Sequence, residues 1–263
     1  MRRSTRKRYG ALAALAGAAV VLVPALSAPH AEDAAQHSFL PPGIGEAAGL
    51  PSSLRLHAVV ARAWDDSLAT WTRLMAPQAG EVAMVSLQLV RRLAPRNCYG
   101  LYAGEGPAYC SGNHTVFVGT KAASQLMAKF GPNGEAAIAF LIGHEIGHHI
   151  QNINGRFQML NYMLARLPGS RGDLVRRFEL EADCYAGVWM HASRRWSSSP
   201  DLRSRVRAVL ANIGDDSVLA ETPGAKISEM ATHGTSAQRS NWFMRGVERG
   251  SLDACNTFLT GEL

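Results

Sequence analysis

Apolar residues recur at helical spacing from Leu54 to Met75 (Leu56, Val60, Trp64, Leu68, Trp71, Leu74), which predicts an amphipathic helix closed by a turn over Pro77 to Gly80. The next segment, Glu81 to Leu93, is apolar without a decisive period. Thr115 to Val118 reads as a short strand, followed by a helix over about Lys121 to Phe130 and by the turn Gly131-Pro132-Asn133-Gly134. From Ala136 to Gln151 the pattern changes. An apolar run, AAIAFLIG, carries straight into His144-Glu145-Ile146-Gly147-His148-His149, which predicts a buried helix with polar chemistry set into it. A connecting segment with the apolar stretch MLNYMLARL, closed by Pro168-Gly169, leads to a second long helix from Leu174 to about Trp196. Its face Leu174, Phe178, Ala182, Tyr185, Trp189 points inward, and the stripe Val175, Glu179, Asp183, Ala186, Met190 lies beside it. Ser199 to Ile213 is a further helix, closed by Gly214. The fold class predicted is α+β, mainly helical, with a small β-sheet preceding the His-rich helix. The strand is either an exposed edge that could pair with an extended peptide, or an ordinary core strand.

Composition leaves that picture standing: 47% apolar and 18% charged residues are ordinary for a globular domain. The net charge of +6 would suggest an acidic partner, but Arg2, Arg3, Arg6, Lys7 and Arg8 supply five of those charges and the body is close to neutral. With no basic stripe and no reader motif, nucleic-acid binding is excluded as an expectation. The basic N-terminus followed by the uncharged stretch Gly10 to Leu26 predicts export. Residues 1–31 are read as a signal peptide or a short membrane anchor, 32–52 as a Pro/Gly/Ala-rich linker, and 53–263 as the folded domain. The product is then secreted or membrane-anchored, with membrane association through the N-terminal segment. Four cysteines in an exported chain fit two disulfides, and of three connectivities Cys98 with Cys110 and Cys184 with Cys255 is favoured.

The chemistry lies in the spacing. Four residues along an α-helix is a turn of about 400° and a rise of about 6 Å, so His144 and His148 project from one face and can ligate one cation. Glu145 sits about 100° around, where a base acting on activated water would stand. Gly147 costs roughly 1 kcal/mol against Ala inside a helix, which points to something packed close there. This is the HExxH pattern of zinc-dependent peptidases. On the second helix Glu179 and Asp183 stand at i and i+4 on an apolar stripe with Glu181 nearby, and like charges at that spacing call for a cation or a cationic partner. Arg176 and Arg177 could pair with Glu179 and Glu181, which would leave Asp183 alone.

The segments HEIGHHIQ, ELEADCYAGVW and HGTSAQRSNWF, with a late Cys-x-Thr-Phe, occur in that order, and the chain from Cys98 to Phe258 resembles the bacterial neutral zinc metallopeptidases. HExxH with a downstream ExxAD is similar more broadly to the gluzincins, including the CAAX-type membrane peptidases. The resemblance implies a zincin-like domain holding Zn²⁺ through His144, His148 and Glu179, with Asp183 hydrogen-bonded to a ligating His. His233 and Arg239 resemble a His-x5-Arg segment of the CAAX-type enzymes, which implies an oxyanion-stabilising role for His233 and a supporting one for Arg239. One departure is Val116-Phe117-Val118-Gly119, where the family often carries an acidic residue after the aromatic. The expected function is hydrolysis of peptide bonds in a peptide or protein substrate, with Glu145 as general base. Activity should fall below about pH 6 as the histidines protonate and release metal. The alternatives are an exported or membrane-tethered zinc-binding scaffold without catalysis, which would have no need of Glu145, and a zinc hydrolase of another amide such as a cell-wall crosslink.

Overall fold

The computed structural model describes residues 52–93, 98, 106–196, 200–220 and 232–263. The expected signal or anchor and all but the last residue of the linker lie outside the described residues. Among the described residues no helix is long and apolar enough to cross a membrane.

The element order is α1 (Ser52–Leu74), α2 (Ala79–Val82), β1 (Ser86–Val90), β2 (Ala108–Cys110), β3 (Thr115–Gly119), α3 (Thr120–Lys129), α4 (Gly134–Ile153), α5 (Arg156–Arg166), α6 (Arg171–Ala192), α7 (Pro200–Leu210), α8 (Asp215–Ala220) and α9 (Ser236–Arg249). The domain is therefore α+β and mainly helical, with the small sheet ahead of the HExxH helix. The ambiguous Glu81–Leu93 segment divides between the end of α2 and β1.

The sheet runs in the order β1-β3-β2, with β1 parallel and β2 antiparallel to β3. All five residues of β3 are buried. The possibility that this strand is an exposed edge is thereby corrected: TVFVG lies at the centre, and an apolar run without alternation is what a strand covered on both sides requires.

At the centre of the domain is α4, in which every residue from Ala136 to Gln151 except Leu141 is buried. It packs against α1, α3, α6 and α7, so no face is left for water. In α6 both the expected inward face and the stripe beside it are buried, because α4 covers one side and α9 the other. The α6–α9 contact is made backbone to backbone. A Cβ on Gly187 would collide with the carbonyl oxygen of Phe243, and one on Gly246 with that of Cys184. Gly147 plays the same part between α4 and α6, where a Cβ would stand 3.0 Å from the Ala182 carbonyl oxygen.

Disulfides join Cys98 to Cys110 and Cys184 to Cys255. The second ties α6 to the C-terminal tail, which Arg177 also holds through the carbonyls of Thr257 and Thr260. Its partners are 71 residues apart, a loop for which crosslinking removes about 4 kcal/mol of unfolded-state freedom. Replacing both Cys184 and Cys255 by Ala should lower the unfolding free energy by about that amount in a denaturant titration. An unchanged midpoint would show that the crosslink contributes nothing to global stability.

Candidate metal centre

His144 and His148 reach from α4 towards Glu179 on α6, and all three are buried. The Oε2 of Glu179 lies 3.2 Å from His144 Nε2 and 3.6 Å from His148 Nε2. Zinc bonds of 2.0–2.2 Å at tetrahedral angles put neighbouring ligand atoms about 3.3–3.6 Å apart, so these spacings suit one zinc ion. The donor set fits chemically as well. Both carboxylate oxygens of Glu179 are buried without a hydrogen-bond partner, which is costly for an anion unless a cation completes the group. Two imidazoles and one carboxylate are the ligands that a catalytic zinc takes when it keeps a fourth position open.

The far side of each imidazole is held. His144 Nδ1 donates to Asp183 Oδ1 at 2.7 Å, and Asp183 is in turn gripped by Arg239, Nε to Oδ2 at 2.8 Å and Nη2 to Oδ1 at 2.9 Å. A carboxylate can only accept, so the Nε2 of His144 is the nitrogen left for metal. Arg239 donates further to the Ile213 carbonyl and lies over the Phe140 ring. His148 meets Gln151 Oε1 through its Nδ1 at 2.8 Å and stacks on Phe178.

The charges of the cluster act on one another strongly. Burial alone would keep His144 neutral, but the hydrogen bond and charge of Asp183, with Glu179 and Glu145 adding to them, push its pKa up to about 10. Burial would likewise raise Glu179, yet His148, His233 and His144 hold its carboxyl well below the usual range. Asp183 is opposed by burial and held low by Arg239 and then His144. The cluster thus keeps negative charge facing a point where a proton on His144 Nε2 and a metal ion compete.

Glu145 is buried beside His144 on α4. His233 stands at the rim, partly exposed, with Nε2 3.8 Å from Glu179 Oε2 and Nδ1 3.6 Å from Asp215 Oδ1. The segment carrying it is fixed by reciprocal bonds between Asp215 and Gly234 and by a capping box of Thr235 and Gln238 at the start of α9. His149 faces away from the cluster: its ring bonds Tyr109 and the Glu81 carbonyl, and burial pushes its pKa down to about 4.

Glu181 is directed away from Glu179 and bonded by Arg156 and Gln151. Arg177 bonds Asp173 instead of Glu179 or Glu181, and the cations beside Glu181 and Asp183 are Arg156 and Arg239. Sequence reasoning missed Gln151, Arg156 and Asp215. Gln151 stands three residues after His148 on the same face and was findable from that spacing. Arg156 and Asp215 reach their partners only through the tertiary fold.

A family described as "Putative neutral zinc metallopeptidase" matches residues 45–258. The chain is similar to the protein named "Uncharacterized protein YpfJ" of Escherichia coli (strain K12), with 32% identity over 194 residues, 72% of this chain and 67% of that one. It is also similar to "Uncharacterized protein Rv2575" of Mycobacterium tuberculosis (strain ATCC 25618 / H37Rv), with 34% identity over 171 residues, 60% of this chain and 57% of that one. No solved structure matches. The family match takes in α1, the sheet, the two helices that carry the His/His/Glu group and the tail as far as Phe258, and the chain belongs to this neutral zinc metallopeptidase family.

Proposed function

We propose that the chain hydrolyses peptide bonds with zinc held by the Nε2 atoms of His144 and His148 and by Glu179. The observation that carries this reading is the buried Glu179 carboxylate, which makes no hydrogen bond at either oxygen and faces two imidazoles whose other nitrogens are already engaged. When bound there, zinc supplies Lewis acidity, lowering the pKa of a water to about 7 and polarising a carbonyl. Glu145 takes the proton from the attacking water and delivers it to the leaving amine. His233, at the open rim, donates to the oxygen that becomes negative as the carbonyl is attacked. Asp183 and Arg239 keep His144 aimed throughout.

The substrate class is a peptide or protein. With β3 at the centre of the sheet, pairing of an extended peptide is left to an outer strand, and of the two β2 makes the larger contact with α4. Two disulfides support a location in an oxidising, extracytoplasmic compartment, reached through the basic and apolar N-terminal segment. The scaffold reading has no use for a carboxylate buried beside the ligands, which is why Glu145 favours hydrolysis.

Zinc stoichiometry tests the ligand set. The purified protein at saturating zinc should carry one ion, Glu179→Ala none, and Glu181→Ala one. A folded native protein that takes up no zinc would sink the proposal.

A further inference from the structure

Gln151 is fully buried, and its amide makes three hydrogen bonds. Its Nε2 donates to the Phe178 carbonyl at 2.8 Å and to Glu181 Oε2 at 2.9 Å. Its Oε1 faces His148 Nδ1 at 2.8 Å. The orientation of a glutamine amide is ordinarily open to a flip, but here it has one solution. A carbonyl and an ionised carboxylate only accept, so the NH₂ group must face them and the oxygen must face His148. Glu181 is held in place from its other side by Arg156, through Nε at 2.9 Å to Oε2 and through Nη2 to Oε1. Arg156 reaches in turn to Asn256 in the C-terminal tail and lies over the Phe258 ring.

An oxygen facing His148 Nδ1 requires that nitrogen to carry the hydrogen. The lone pair is then on Nε2, the atom turned towards Glu179. Resting on the reading of His148 as a zinc ligand, we propose that Gln151, locked by Glu181 and the Phe178 carbonyl, is the positioning residue that holds His148 in its Nδ1–H tautomer and so presents Nε2 to zinc.

The two histidines are thus oriented by different means. His144 is aimed by a carboxylate in direct contact, His148 by a neutral amide with the carboxylate one residue further out. Glu145, Glu179 and Asp183 already place three carboxylates around the metal position, with Arg239 bonded to one of them. An amide passes on orientation without bringing a fourth negative charge against the His148 ring.

The test compares zinc affinity of the full chain, by competition with a chelator, for the native protein, Gln151→Leu, Gln151→Glu, and Gln151→Glu with Glu181→Gln. Leu removes the acceptor and should weaken zinc binding roughly 10- to 100-fold. In ¹⁵N-histidine spectra of the zinc-loaded protein it should also erase the exchange-protected Nδ1–H of His148 while leaving that of His144. Glu at 151 alone sets two carboxylates face to face and should bind zinc poorly. Adding Glu181→Gln removes that repulsion and leaves a carboxylate that still accepts from His148, so part of the lost affinity should return, while the Phe178 carbonyl stays without its donor. Because that pair preserves the group's size and net charge, it decides the matter even where Leu prevents folding. Zinc bound as tightly by Gln151→Leu as by the native protein would overturn the proposal, as would an exchanged pair no better than Gln151→Glu. Failure of the native protein itself to bind zinc would overturn the ligand reading and the proposal together, and is told apart by needing no variant.

Discussion

Glu145→Gln should leave one zinc per chain and cut peptide hydrolysis by roughly 10²- to 10⁴-fold, the usual contribution of a positioned general base. The substitution keeps the shape of the side chain and removes its ability to take a proton. Glu145 is not one of the three residues whose potential ligand atoms converge, so the metal should stay. Because Glu145 is buried on a helix packed on every side, an isosteric amide also disturbs the core far less than a truncation would. Measuring zinc content and turnover on the same preparation separates two readings: a non-catalytic scaffold keeps its function in this variant, whereas a peptidase loses it. Hydrolysis within a few-fold of native would remove Glu145 from the mechanism.

Arg239→Met should produce a large loss of stability. Asp183 is fully buried on α6, and Arg239 provides both of its charge-neutralising hydrogen bonds from α9. Met fills much of the same volume without charge, so what is lost is compensation of a buried anion, a change that typically costs 3–5 kcal/mol. For a domain of this size that amounts to a fall of roughly 6–20 °C in thermal midpoint. Adding Asp183→Asn should recover part of the loss, because the uncompensated charge then goes as well. A single variant that melts with the native protein would show that His144 alone suffices to hold Asp183.

How much of the centre could be read from the chain depended on whether the geometry was local. His144 and His148 were legible because four helical residues return to the same face, and Glu145 because it adjoins them. Glu179 and Asp183 stood out as charges on a stripe that had to be buried, so the need for a cation was visible before its source. Arg239 came through a resemblance of segments, and the structure shows its partner. Arg156 could not be found this way: it follows a turn at Gly155 and meets Glu181 25 residues away, across a contact that only the packing of α5 on α6 creates. The sheet was legible in its central strand alone. β2 is three residues long and β1 lies in a segment whose periodicity suited helix and strand alike, so their pairing with β3 is settled by tertiary structure rather than propensity.

Where α6 and α9 meet at Gly187 and Gly246, no side chains stand between the two backbones. Most packed helices carry a layer of rotamers that can readjust, and this layer lets them slide past each other by small steps. Here the carbonyls of Phe243 and Cys184 sit in the places that side chains would occupy, so a slide drives main chain into main chain. In mechanical terms the joint is stiff to shear. Because Asp183 is on one of these helices and Arg239 on the other, their register is preserved as the domain fluctuates. Sliding of α6 past α9 is therefore a poor route to reshaping this side of the His/His/Glu group.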